Sequence, residues 1–373
     1  MQNRRFIAVT ALLAAGMTAG AQNSTTLKDA YRDSFFVGAA INEGQIDGSD
    51  ARGDAIIAAQ FNSISPENCL KWERIHPKPD TYTFELADKY VEFGEKKAMF
   101  IVGHNLVWHS QVPDWVFQDE SGKPVTREVL LKRMHDHIFT VVGRYKGRIQ
   151  SWDVVNEALN DDGTLRKSKW QQIIGDDYIE KAFEYAHEAD PQAQLNYNDY
   201  SLENEAKRKG AIALVKRLQA KGIPIAVVGS QEHDHLNWPS VEQLDETISD
   251  FAKLGVKVAV TELDIDVLPS IDWGADVSLR VKSDPKLNPY VNGLPNAVQE
   301  ELAKRYAEFF AVFLKHRASM SRVTFWGVTD GDSWLNNWPV RGRTSYPLLF
   351  DRAGEPKAAF QAVIQVATGA GKR

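Results

Sequence analysis

Cysteine is nearly absent, with Cys69 the single one in 373 residues. That excludes an intrachain disulfide and any zinc or iron–sulfur centre built from several thiolates. Cys69 itself is expected to be a small buried hydrophobe. A basic surplus is missing too. Lys plus Arg total 44 against 50 Asp plus Glu, a formal net charge of −6, so neither nucleic acid nor an anionic membrane is an expected partner. No apolar run approaches the roughly 20 residues needed to cross a bilayer. No Pro/Gly/Ser-rich linker or low-complexity tract divides the chain, and no G-x-G-x-x-G follows the first predicted strand. What remains is ordinary globular composition, 43% hydrophobic and 25% charged, which rules out a disordered or collagenous chain.

The N-terminus looks like an address. Arg4 and Arg5 precede an apolar run from Phe6 to Ala15, and Ala19-Gly20-Ala21 supplies an A-x-A pattern of small residues. Residues 1–21 are therefore expected to be a secretory signal peptide, and residues 22–373 one catalytic domain. A membrane anchor is the alternative, and the run is too short for it. The mature protein is expected to be secreted or periplasmic, off the membrane, and a monomer.

Downstream, short β-rich apolar runs alternate with helical patterns. Strands are predicted at Phe35–Ile41, Ser63–Pro66, Phe100–Asn105, Ile149–Asn156, Gln194–Asn198, Ala226–Gln231, Lys257–Glu262 and Val323–Thr329. Helices are predicted between and after them, opening at Asp50 or Thr126 as caps and closing at Gly222 or Gly255. Eight strand–helix units predict an α/β fold, a single (β/α)8 TIM barrel with its active site at the C-terminal strand ends. A length prior of about two domains yields to that unit count. A doubly wound open sheet is the alternative. The stretch Val267–Pro295 is too long for a connector and is expected to line the site.

Functional residue types collect at the predicted strand ends. The second strand runs into Glu67, Asn68 and Lys71, and the third into His104, Asn105 and Trp108. The fourth ends in Asn156-Glu157, the fifth in Asn198-Asp199-Tyr200, and the sixth in Gln231-Glu232-His233. The seventh ends in Glu262-Leu263-Asp264, and the eighth carries Trp326 and leads to Asp330 and Trp334. Glu157 and Glu262 each follow an apolar strand, so both would point into one mouth. Two carboxylates facing one linkage is the arrangement of glycoside hydrolysis, in which one must be protonated and the other ionised. Spacing alone does not separate a nucleophile from a base.

At Trp152-Asp153-Val154-Val155-Asn156-Glu157 and Val260-Thr261-Glu262-Leu263-Asp264 the chain resembles glycoside hydrolase family 10, the (β/α)8 endo-β-1,4-xylanases. Further matches are Glu67-Asn68-Cys69-Leu70-Lys71-Trp72, the run Gly103 to Gln111, and Trp326-Gly327-Val328-Thr329-Asp330 followed by Ser333-Trp334. The resemblance covers nearly the whole mature chain. It implies a retaining endo-1,4-β-xylanase acting on xylan and xylo-oligosaccharides, with Glu157 as acid/base and Glu262 as nucleophile. It further implies that Asn156 bonds the sugar 2-hydroxyl and that Gln231 and His233 surround the nucleophile. His233 and Asp264 would then be an orienting pair. Glu67, Asn68, Lys71, His104 and Trp108 would bind the non-reducing-side sugars, Trp326 and Trp334 would lie over them, and Tyr200 would stack on the leaving-group side. The family more often carries a smaller neutral residue where Glu232 stands. That glutamate would either change the charge near the nucleophile or point away.

Other residues invite plainer readings. Trp72, Trp115, Trp152 and Trp170 are expected to pack in the core or rim, and His135 and His137 to lie on a helix surface. His233-x-His235 suggests a metal, but further ligands are not evident, so no metal and no cofactor is expected in the site. A cellulase-like β-glucanase and a non-catalytic xylan-binding barrel are the alternative functions. A pure binding protein needs neither Glu157 nor Glu262.

Overall fold

The computed structural model describes residues 25–270 and 278–369. The predicted signal peptide and Trp273 lie outside the described residues. Among the described residues nine strands form: β1 Phe36–Ile41, β2 Ser63–Pro66, β3 Phe100–Val107, β4 Ser151–Asn156, β5 Gln194–Asp199, β6 Val227–Ser230, β7 His233–His235, β8 Lys257–Asp266 and β9 Met320–Phe325. All pair in parallel. Neighbours from β1 to β6 pair in sequence, β6 pairs with β8, β8 with β9, and β9 with β1, which closes an eight-stranded barrel. The short β7 stands outside that ring and runs along the last residues of β8, His233 opposite Asp264 and His235 opposite Asp266.

Local chemistry explains the ring of helices. Asp50 accepts from Gly53 N to cap Ala51–Gln60, and Thr126 accepts from Val129 N to cap Arg127–Arg144. Ser240 and Gln243 form a reciprocal capping box at the start of Val241–Ala252. Buried faces of these helices close over the strands. Trp72, Trp152 and Trp170 are buried in that shell, and Trp115 packs partly buried against it. Cys69 is buried and free.

Three expectations need correction. The eighth barrel strand ends at Phe325, not Thr329, because Gly327 turns the backbone at φ 129. The seventh continues past Glu262 to Asp266, because β7 gives its far end a partner. His137 is not a surface residue. It is fully buried, with its ring stacked 3.6 Å from that of Trp72 and its Nδ1 3.2 Å from His76 Nδ1. Burial, with His76 beside it, holds His137 well below its ordinary pKa, so it stays neutral. Its neighbour His135 is only partly exposed and stacks on Phe139.

Pairing register slips in β3 and β4 and twice along β8. Each slip lies on a strand that carries a site residue, and bulges of this kind re-aim side chains at a barrel rim.

Candidate active site

Glu157 directly follows β4, with its backbone in the left-handed region at φ 56. A non-glycine residue pays of order 1 kcal/mol for that conformation, and a bond from Glu157 N to Asn198 O at 2.8 Å holds it there. The turn aims the carboxylate into the barrel mouth. Trp108 Nε1 donates to Oε2 at 2.9 Å and Gln231 Nε2 to Oε1 at 3.0 Å. His109 Nδ1 stands 3.9 Å from Oε2.

Glu262 lies within β8 and is 5% exposed. His233 Nε2 is 3.3 Å from its Oε2, and Asn198 Nδ2 donates to its Oε1 at 2.9 Å. Burial disfavours its charge. The His233 hydrogen bond, the field of His104 and the Asn198 donor outweigh that penalty and hold its pKa below the ordinary carboxylate value. His233 is bracketed by two acids, since its Nδ1 also lies 3.0 Å from Asp264 Oδ1. Burial opposes its charge as well, yet Asp264 and Glu262 raise it to about 10. The imidazole is therefore a cation at neutral pH, donating from both nitrogens. Trp334 Nε1 donates to the other Asp264 oxygen at 2.7 Å, which fixes the orienting acid in turn.

Asn198 on β5 links the two carboxylates across the strands between them. Its Nδ2 bonds both Glu262 Oε1 and Asn156 Oδ1, each at 2.9 Å, and its Oδ1 accepts from Thr261 Oγ1 at 2.6 Å. Gly229 makes room for this network: a Cβ there would stand 2.4 Å from Asn198 Oδ1 and 2.8 Å from Thr261 Cγ2. Because Asn156 Oδ1 is taken, its Nδ2 is the group left to face a ligand, 3.4 Å from Glu157 Oε1. Sequence reasoning gave Asn198 no role. Its signal was position alone, at a strand end between those carrying the two glutamates.

The mouth is a cleft of about 440 Å³. Every catalytic and binding residue expected from sequence lines it, and Asp264 stands behind His233. Lys71 Nζ bonds Asn68 Oδ1 at 3.0 Å and lies 5.2 Å from the Trp108 ring centre. Burial lowers its pKa, opposed by Glu67, Glu262 and Glu157, and burial likewise raises that of Glu67 against the pull of Lys71. His104 Nδ1 is tied to Asp153 Oδ2 at 3.0 Å, and Asp153 lies 3.5 Å from the buried Arg322. On the opposite side, Tyr200 accepts from Arg166 at 3.1 Å, while the fully buried Lys207 holds its Nζ 3.0 Å from the ring centre. Four further residues line the cleft: Gln111, Trp338, and Ser278 and Arg280 from the stretch after β8. Trp338 stacks on Trp334 at 4.7 Å. The expectation that Val267–Pro295 reaches the site holds for Ser278 and Arg280.

The H-x-H pair does not converge on a metal, since both His233 nitrogens are engaged by acids. Glu232 turns away from the nucleophile. Its backbone is left-handed at φ 60, it does not line the cleft, and its carboxyl meets Glu203 and Asp234 instead.

Known proteins share this arrangement of chain. The family model for glycosyl hydrolase family 10 matches residues 26–366. An endo-1,4-beta-xylanase A of Xylanibacter ruminicola is 47% identical over 352 residues, covering 94% of this chain and 95% of that protein. A beta-1,4-xylanase of Dictyoglomus thermophilum is 43% identical over 342 residues, covering 91% and 90%. Among solved structures, a family 10 endoxylanase from a sugarcane soil metagenome superposes with a TM-score of 0.87 at 48% identity, covering 92% of this chain and 99% of that one. A closed parallel barrel, two carboxylates at one mouth and a family match along almost its entire length agree: the chain belongs to glycosyl hydrolase family 10.

Proposed function

We propose that the protein is an exported endo-1,4-β-xylanase that cleaves internal β-1,4-xylosidic bonds with retention of configuration. The observation that carries this is the opposite equipment of two carboxylates in one cleft. Glu262 is bonded to an imidazolium and held ionised, as a nucleophile requires. Glu157 accepts instead from neutral donors, an indole and an amide, and faces Glu262 across the same cleft, where an acid/base must stand. Xylanase relatives at 47% and 43% identity supply the substrate class. The pattern of residues 1–21 supports export.

The chemistry then runs in two displacements. Glu262 attacks the anomeric carbon as Glu157 gives its proton to the glycosidic oxygen, and the leaving chain departs with a new hydroxyl. A water next loses a proton to Glu157 and attacks the same carbon from the face the leaving group vacated. The bond to Glu262 breaks and both side chains return to their starting states. Asn156 Nδ2 hydrogen-bonds the 2-hydroxyl, a contact that strengthens as charge develops on the ring. Trp326 and Trp334 offer apolar faces to the flat pyranose, while Glu67, Asn68 and Lys71 meet its polar rim.

The test is a time course on xylan followed by proton NMR and chromatography. Early β-anomers and mixed internal fragments are expected. Early α-anomers would reject retention, and hydrolysis of carboxymethylcellulose but not xylan would reject the substrate.

A further inference from the structure

Beside the cleft, but outside its lining, three acids face one another. One carboxylate oxygen from each of Glu203, Glu232 and Asp234 lies within 4.8 Å of the other two, and each residue is only 1% exposed. Ser230 Oγ donates to Glu203 Oε1 at 2.8 Å. Among the described residues, Glu203 Oε2 and Glu232 Oε2 have no hydrogen-bond partner. Asp234 is the least satisfied of the three: both of its oxygens are buried without a conventional donor, and the contact that serves it is with Glu232, an acid that donates only while it carries a proton. The positive charge that acts on it, His233, is already bonded to Asp264 and Glu262. Desolvated carboxylates without donors are costly, and the fold must answer that cost with protons or with a cation.

We propose that Glu203, Glu232 and Asp234 form a cation site and that its occupant is calcium. The donors are all hard oxygens, with no nitrogen or sulfur, which disfavours zinc and copper. Two calcium–oxygen bonds of about 2.3–2.6 Å span up to about 5 Å, which matches the spacing of the three ligand atoms. Three carboxylates offer as many as six oxygens in a water-poor setting. Calcium accepts bidentate carboxylates and irregular geometry there, whereas magnesium keeps several waters.

The chain alternates two tasks through this segment. Gln231 and His233 reach Glu157 and Glu262, while Glu232 and Asp234 turn to the acid cluster. A bound ion would pin the strap that positions both catalytic carboxylates. The site does not use the His233-x-His235 pair.

The test uses the full purified chain, stripped with EGTA, gel-filtered and titrated with calcium chloride. Metal content is read by mass spectrometry and melting by calorimetry. One calcium per chain is expected, with Tm rising about 4 °C at a hundredfold excess over Kd. Asp234→Asn and Glu232→Gln should each remove the calcium response, and neither stripped variant should melt below the stripped parent. Wild-type protein that takes up no calcium and melts unchanged would overturn the proposal and assign the cluster to shared protons. A calcium response that survives in both variants would also overturn it, because the ion would then sit elsewhere. Should one variant fail to fold, the wild-type stoichiometry and the other variant still decide.

Discussion

Asp264→Asn isolates the charge behind the nucleophile without emptying the space. The wild-type carboxylate accepts from His233 Nδ1 at 3.0 Å and from Trp334 Nε1 at 2.7 Å. An asparagine can keep the tryptophan bond through its oxygen. Its amide nitrogen must then face Nδ1, and a donor there selects a neutral imidazole whose proton sits on Nε2. The bond to Glu262 survives, but the cation is lost. The His233 pKa, raised from 6.5 to about 10 in the folded protein, should fall from that value, because the stronger of the two acids that raise it is neutralised while the burial penalty stays. The pKa of Glu262 should rise with the loss of an adjacent opposite charge. The acid limb of kcat/KM should move toward neutral pH with it, the profile reporting the carboxylate pair as a whole.

Stability follows with its own sign. A group with a raised folded pKa stabilises fully below its unfolded value and loses that contribution as pH climbs through the folded one. For His233 the window runs from pH 6.5 to about 10. The shift corresponds to something on the order of 4–5 kcal/mol. Calorimetry of the wild type should show Tm falling across that window, and Asp264→Asn should flatten the fall. Nitrogen-15 NMR of the histidines reads the protonation state directly. An acid limb that moves by less than about 0.3 unit, with His233 still doubly protonated at pH 8, would refute the electrostatic account.

Glu262→Ala should abolish turnover while xylo-oligosaccharide binding, read by calorimetry, stays largely intact; retained turnover would remove it as nucleophile. Glu157→Ala should lower kcat/KM on xylan by roughly 10²–10⁴-fold but lower it far less on aryl xylosides with good leaving groups, whose first displacement needs no proton, while the second displacement slows for both. Equal losses of kcat/KM on both substrates would undo the acid role. Trp334→Ala should raise the ratio of glucoside to xyloside cleavage if the indole, which lines the cleft, excludes the hydroxymethyl arm that xylose lacks; an unchanged ratio speaks against that steric account. Gly229→Ala should cost roughly 1–3 kcal/mol in denaturant unfolding and lower kcat, because its Cβ collides with Asn198 and Thr261. A variant as stable and active as the parent would show that the network yields easily.

Much of the barrel was legible because its signals are local. Alternating strand and helix periods, Asp50 and Thr126 at helix starts and Gly255 at a helix end each speak for their own segment. The residues at the mouth were legible because the barrel topology sends every strand end to one rim. What escaped depends on distant partners. The strand His233–His235 is three residues long and exists because β8 overruns the ring to meet it. His137 looks like a helix-surface histidine until Trp72, 65 residues earlier in sequence, is laid over its ring. Asn198 carries no motif of its own and gains its role from Asn156 and Glu262 on either side. The cluster at Glu232 needed Glu203 brought in from the preceding strand–helix unit. Glu232 stood out in sequence for its charge, but only the turn at φ 60 settled which way that charge faces.

The lysine tucked behind Tyr200 bears on how products depart. Lys207 Nζ lies 3.0 Å from the ring centre, on a residue that does not reach the cleft, and is paired with Asp199 at 3.0 Å. A cation against one side of an aromatic ring draws electron density toward itself and leaves the other side less able to attract the polarised C–H bonds of a pyranose. If Tyr200 carries the leaving-group sugar, as the family resemblance implies, it would be a firm but only weakly adhesive shelf. Such a shelf would hold the departing chain in line during cleavage and let go of it once the bond is broken, so that turnover would not be throttled by a clinging product.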